Sequence, residues 1–326
     1  MKTVYAPSLK RNVAFGRRPE VAPGPSLKLS RYIKAMPPPP VNVDYTQGGT
    51  SLTAALSDIY ANDQLGCCVI AWLYHHEALW TGNATGTAYH ATRDQVIQTY
   101  SAVTGYVPGD PATDRGTDMT VAMNWICQNG YPNGSKPLGW LRVDGTNQQE
   151  LMQAIWLFEG CGFGVGLPDA WISNMPQASG FTWGIAGSAD LNNGHAFLGA
   201  GYDATGVIID TWGLIGKFTW AAVAQYATAT SGGEIDLLLS PDMIAKATGK
   251  APNGFDWAAL VADFDSIGGH VPTQNPVPTP APTGPLTLAQ AQALVTGALG
   301  SAFPLLTRSQ AATVASNALA KGWPQS

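Results

Sequence analysis

Gln64, Cys68, His195 and Asp210 are the side chains of this sequence that could together cut an amide bond. A thiol nucleophile needs a proton that leaves easily, a base within hydrogen-bond reach and donors for the oxyanion. The segment Asn62-Asp63-Gln64-Leu65-Gly66-Cys67-Cys68-Val69 offers the first and the third. Gly66 permits a tight approach. Cys68 is expected to open a helix, where free N–H groups and the helix dipole favour thiolate. Gln64, just upstream, can point its amide at the developing oxyanion. Cys67 remains a rival, although Cys68 is better placed to start the helix.

The base is expected at Gly194-His195-Ala196-Phe197, the start of a strand of small and apolar residues that turns over 203–206. The return strand, Val207-Ile208-Ile209-Asp210-Thr211-Trp212-Gly213, places a carboxylate 15 residues after the histidine. The two ends of such a hairpin meet, so His195 and Asp210 are expected to be neighbours. A carboxylate there fixes the imidazole tautomer and stabilises its protonated form.

The elements that must hold these residues follow from apolar periodicity. Residues 68–80 contain no Gly or Pro and predict a buried helix, with Val69, Trp72, Leu73, Leu79 and Trp80 apolar. Residues 118–129 predict a second helix, stopped by Gly130, and 148–158 a third. Strand-like runs follow at 162–167, 196–202, 207–210 and 234–239. Helices first and strands second predict an α+β body with segregated halves.

That body occupies about residues 46–270. Residues 1–45 predict an extended arm, with Pro37 to Pro40 imposing polyproline II geometry. Residues 271–285 form a Pro/Thr linker that cannot pack as a core. Beyond it, 286–326 predict a helical hairpin, with Thr287 and Thr307 as caps. About 40 residues seldom hold a core alone, so this hairpin is expected to serve docking or oligomerisation.

Charge is distributed unevenly. Residues 1–34 hold eight lysines and arginines against Glu20 alone, so the arm carries +7 and the remainder −12 of the net −5. A basic arm on an acidic body can dock on that body or on an acidic partner, or stay solvated. It lacks the organisation of a nucleic-acid-binding element, so nucleic acid is not the expected partner. Only 12% of the chain is charged and 45% is hydrophobic, which excludes a disordered protein.

No apolar run is long enough to span a membrane, and residues 1–14 contain no signal-peptide core. Synthesis in the cytoplasm is therefore expected, with Cys67, Cys68, Cys127 and Cys161 mostly reduced. His75 and His76 fall mid-helix without complementary ligands, and no Gly-rich stretch leads into Gly-Lys-Ser/Thr. No metal or cofactor is expected.

Taken together, Gln64…Gly66…Cys68 opening a helix, then Gly194-His195-Ala196 and Asp210-Thr211-Trp212-Gly213, resemble the papain-like cysteine peptidases. The likeness covers roughly residues 50–240. It implies a papain-like body, with a helical half led by the Cys helix and an antiparallel β half carrying His and Asp. It implies a Cys68-His195-Asp210 triad with Gln64 at the oxyanion and Trp212 shielding the His–Asp bond. Arg115-Gly116-Thr117-Asp118 resembles the Gly-rich stretch lining the substrate cleft, which assigns Arg115 and Gly116 to substrate binding. The wording is also similar to papain-like proteins of bacteriophages and actinobacteria. The implied activity is thiol hydrolysis of peptide or amide bonds. A second reading is a structural or adaptor protein, such as a bacteriophage virion component, using the arm and hairpin for attachment or self-assembly.

Overall fold

The computed structural model describes residues 2–6, 10–20, 26–33 and 38–239. Two strands come first, β1 (Lys2–Ala6) and β2 (Arg11–Phe15), followed by the short β3 (Val43–Asp44). A helical part follows, with α1 (Thr50–Leu56), α2 (Cys68–Thr85), α3 (Arg93–Thr104) and α4 (Met119–Asn129). Then come β4 (Gly139–Arg142), α5 (Gln148–Phe158), β5 (Cys161–Gly166), α6 (Asp169–Ser173) and β6 (Phe181–Trp183). The chain continues through β7 (Gly194–Asp203), β8 (Gly206–Thr211), β9 (Leu214–Thr219), α7 (Trp220–Tyr226) and β10 (Glu234–Leu239). The expected α+β class holds, although β1 to β3 precede the helical part and α5 to α7 fall among the later strands.

Every residue of α2 from Cys68 to Trp80 is buried, the polar His75, His76 and Glu77 included. Each large apolar side chain buried in this way contributes roughly 1.5–3 kcal/mol. The helix stops at Gly86, whose positive φ of 78° suits the left-handed cap. Asp118 caps α4 by accepting from the Val121 N–H at 2.8 Å.

The main sheet runs in the order β4-β10-β5-β7-β8-β9-β6, and β3 adds to β7. All pairings are antiparallel except β6 with β9. Helix α2 packs against β7 and β5, and Gly162 lets it come close. A Cβ at Gly162 would stand 2.8 Å from the Trp72 indole. The other face of the sheet is aromatic: Phe163 stacks on Phe197 at 5.6 Å, and Trp171 on Trp183 at 4.7 Å.

The arm carries two strands of its own. β1 and β2 form an antiparallel hairpin, and Ala6, Val13, Ala14 and Phe15 are buried. Two strands of five residues are too short to display a period, and what they bury against lies far along the chain. Further on, Leu29 and Tyr32 are also buried. Among the described residues no helix is long and apolar enough to cross a membrane. The linker at 271–285, the hairpin at 286–326 and the end of the body from residue 240 lie outside the described residues.

Candidate active site

Cys68 is the first residue of α2, and Cys67 is its cap. The two thiols have different surroundings. The Cys67 thiol donates to the Tyr60 carbonyl at 3.3 Å, and burial pushes its pKa well up. The Cys68 thiol lies among the backbone N–H groups of Ala196, Gly16, Arg17 and Val69. Burial pushes Cys68 up, and those amides pull it back only in part. The expected lowering by the helix start is therefore outweighed. The reason is cover: Cys68 is 1% exposed, and two of the four amides belong to the arm.

Ala196 comes next after His195, so β7 delivers the histidine backbone to the foot of α2. The ring is held at one nitrogen and over one face. Its Nε2 is hydrogen-bonded to Thr211 Oγ1 at 2.7 Å, and its Nδ1 has no partner among the described residues. The ring stacks on the Trp212 indole at 4.1 Å, and burial holds its pKa down at about 3.

Asp210 does not meet His195, which corrects the expected pairing. The cause is one extra residue in β7. Near the turn Asp203 pairs with Gly206 and Gly201 with Ile208. Past Ala200 the register shifts, and Gly199 pairs with Ile209 and Leu198 with Asp210. Directly opposed residues share a face, and a one-residue slip exchanges the faces. Continued from the turn, the register would put Asp210 on the face of His195. The bulge puts Thr211 there instead. Asp210 is left against α2, where its Oδ2 stands 3.4 Å from His75 Nδ1. His75 Nε2 donates to the Asp58 carbonyl at 2.9 Å. Burial raises Asp210 well above the carboxylate range and lowers His75 to about 4, so one proton shared between two neutral groups describes the pair.

Trp212 takes its place through an unusual backbone. With Gly213 it makes the two-residue turn between β8 and β9, and both have positive φ, 52° and 74°. A tryptophan in that region costs about 1–3 kcal/mol. The conformation lays its ring over His195 and exposes its carbonyl to Arg11 Nη2, which donates at 3.1 Å.

The arm runs through the site as an extended peptide. The Arg17 N–H donates to the Gly194 carbonyl at 3.1 Å, the Thr117 N–H to the Gly16 carbonyl at 2.9 Å, and the Arg18 N–H to the Thr117 carbonyl at 2.9 Å. Phe15 meets His195 edge-on with ring centroids 6.1 Å apart. The channel depends on missing side chains: a Cβ at Gly116 would strike the Gly16 carbonyl, and one at Gly194 the Arg17 carbonyl. Gly116, with a positive φ of 67°, thus lies where a bound backbone passes. Arg115 does not. It is exposed, and its Nε turns back to the Ala112 carbonyl at 3.4 Å.

Gln64 is exposed on the turn before α2. Asn62 is the buried amide of this segment. Its Nδ2 donates to the carbonyls of Ala14 at 3.1 Å and Leu65 at 2.9 Å, and its carbonyl accepts from the Ala14 N–H at 2.9 Å. Asp114 braces the same turn. Its carboxylate accepts from the Gly66 N–H at 3.2 Å and the Tyr100 hydroxyl at 2.6 Å. Asn62, Thr117 and Thr211 lie within segments quoted from the sequence but were given no role there, and Asp114 adjoins one of those segments.

Neither a family model nor a curated protein matches the sequence. Solved structures do. Xylellain, a cysteine protease from Xylella fastidiosa, superposes with a TM-score of 0.51 at 14% identity, over 73% of this chain and 98% of that one. A Carica candamarcensis cysteine protease gives 0.43 at 15%, over 61% of this chain and 98% of that one. Digestive procathepsin L 3 of Tenebrio molitor gives 0.46 at 13%, over 68% and 75%. The xylellain match shows that this chain has the fold of papain-like cysteine proteases. The phage and actinobacterial likeness expected from the wording has no counterpart among these three.

Proposed function

We propose that this protein is a thiol hydrolase of peptide bonds, with Cys68 as nucleophile and His195 as base, held in a covered state by its own arm. The observation that carries this reading is the extended peptide, Gly16 to Arg18, bound by backbone hydrogen bonds beside a thiol at a helix start. A cleft that holds one peptide backbone in this way can hold another.

With the arm displaced, His195 takes the Cys68 proton and the thiolate adds to the substrate carbonyl. The C–N bond then breaks, and the amine leaves with the proton from the imidazolium. Water, deprotonated by His195, hydrolyses the thioester and restores the thiol. Thr211 takes the orienting place that the sequence suggested for Asp210. Asn62 takes the oxyanion place suggested for Gln64, because its buried Nδ2 already holds a peptide carbonyl.

The test is the reactivity of Cys68. A cysteine-directed electrophile should label it slowly in the unaltered chain and at least about 10-fold faster in Arg17→Ala, since uncovering restores thiolate. Cys68→Ala and His195→Ala should each abolish peptide hydrolysis while leaving the fold intact. Full hydrolysis by a purified Cys68→Ala chain would sink the assignment.

A further inference from the structure

Arg17 is 4% exposed and Glu234, on β10, is also 4% exposed. The guanidinium donates to Glu234 Oε1 from Nη2 at 2.6 Å and from Nε at 3.1 Å, and to the Gly232 carbonyl from Nη1 at 2.7 Å. An arginine buried in this way has been taken out of water at considerable cost, which only a matched carboxylate offsets. The same residue puts its backbone N–H beside Cys68. One residue therefore marks both the backbone track and a side-chain pocket next to it.

The pocket is built for a guanidinium by the body alone. Gly164 forms one wall: a Cβ there would stand 2.8 Å from Arg17 Nε and 2.6 Å from Met119 Sδ. Behind Glu234, Arg142 donates to Asp236 Oδ1 from Nε at 2.6 Å and stands 3.2 Å from Glu234 Oε2, without hydrogen-bond geometry to the latter. Glu234 Oε2 thus keeps unused acceptor capacity while fully buried. Glu20 approaches Arg142 at 3.4 Å, but Glu20 belongs to the arm and leaves with Arg17. Once they go, Glu234 Oε1 and the Gly232 carbonyl lose the guanidinium that filled the pocket, while Arg142 stays engaged by Asp236.

Resting on the hydrolase reading above, we propose that the substrates are peptides carrying an arginine, whose side chain takes the place of Arg17 against Glu234 and the Gly232 carbonyl. Arginine is favoured over lysine because its planar fork makes all three contacts from one rigid group, whereas an ammonium offers a point charge. Glu234 is the specificity-determining residue and Gly164 sets the room.

The test measures binding apart from turnover. Calorimetry on the full chain carrying Arg17→Ala and Cys68→Ala compares capped Ala-Ala-Arg-Ala-Ala with the same peptide carrying citrulline, a neutral near-isostere. The arginine peptide should bind about 100-fold tighter, and Glu234→Gln should reduce that ratio to a few-fold. Equal affinities, or a ratio unchanged by Glu234→Gln, overturn the assignment. Hydrolysis is then followed in the chain carrying Arg17→Ala alone. A binding preference without cleavage removes the hydrolase reading and leaves the pocket standing; cleavage without preference does the reverse. Should Arg17→Ala fail to fold, hydrogen exchange on the unaltered chain gives the same decision. The peptide is used in large excess over the roughly millimolar effective concentration of a tethered arm. The arginine peptide should then speed exchange at Gly16, Arg17 and Arg18, and the citrulline peptide should not; equal exchange with both counts against the pocket.

Discussion

His195 and Thr211 are joined by a 2.7 Å hydrogen bond across β7 and β8, under the indole of Trp212. The ring is thereby held by a hydroxyl at Nε2, with Nδ1 left for proton transfer. A hydroxyl fixes orientation without adding a charge, so the protonated imidazole receives less help than a carboxylate would give.

This arrangement separates Thr211 from Asp210 experimentally. In chains carrying Arg17→Ala to free the cleft, Thr211→Val should lower kcat for peptide hydrolysis on the order of 10-fold or more. Asp210→Asn should leave kcat within about threefold and instead cost on the order of 1 kcal/mol of stability through His75. A large kcat loss in Asp210→Asn alone would restore the carboxylate to the triad.

The two amides before α2 divide in the same way. Removing an oxyanion donor costs about 100-fold or more in kcat, and that loss is expected for Asn62→Ala. Gln64→Ala, a change at an exposed side chain, should leave kcat unaltered. Because Asn62 also holds the Leu65 carbonyl, melting curves must accompany the kinetics.

Gly116→Ala tests the backbone channel. The new Cβ would meet the Gly16 carbonyl, and the positive φ of 67° adds strain, so a loss of about 1–3 kcal/mol is expected. Since the arm and a substrate share this passage, Cys68 should become easier to label while KM for peptides rises. Labelling as slow as in the unaltered chain would show that the arm is held elsewhere.

Stability should fall on mild acidification. Burial lowers His75 to about 4 and His76 and His195 to about 3, whereas unfolded histidine titrates near 6.5. From about pH 6.5 down to about 4 the unfolded chain therefore binds three protons that the folded chain does not. Asp210 and Asp236, both raised by burial, act in the opposite sense, because each keeps a proton when folded that it loses when unfolded. The net difference is about one proton, or roughly 1.4 kcal/mol lost per pH unit. Denaturant melts at pH 6.5 and 5 check this. His76→Leu should remove about one proton from the slope, since burial holds this ring neutral in the folded chain.

Local signals were legible in the sequence. The start of α2 at Cys68, the end of α4 at Gly130 and the span of α5 follow from caps and periodicity acting within a turn or two. The order of helices and strands carried the fold class for the same reason. Even the meeting of the two ends of the β7–β8 hairpin was readable, because a tight turn at 203–206 enforces it.

Tertiary structure decided which side chains face which. The bulge at Ala200, whose carbonyl accepts from the Tyr45 N–H at 3.0 Å, exchanges Asp210 for Thr211 beside His195, and no local signal marks it. The Arg17–Glu234 pair joins residues 217 positions apart. Each reads as an ordinary surface charge until the fold buries them together, because the cost of a buried charge depends on its partner's position. The sequence by itself determined a thiol at a helix start within a papain-like fold. Only the folded chain determined what covers that thiol, what holds the histidine and what fills its pocket.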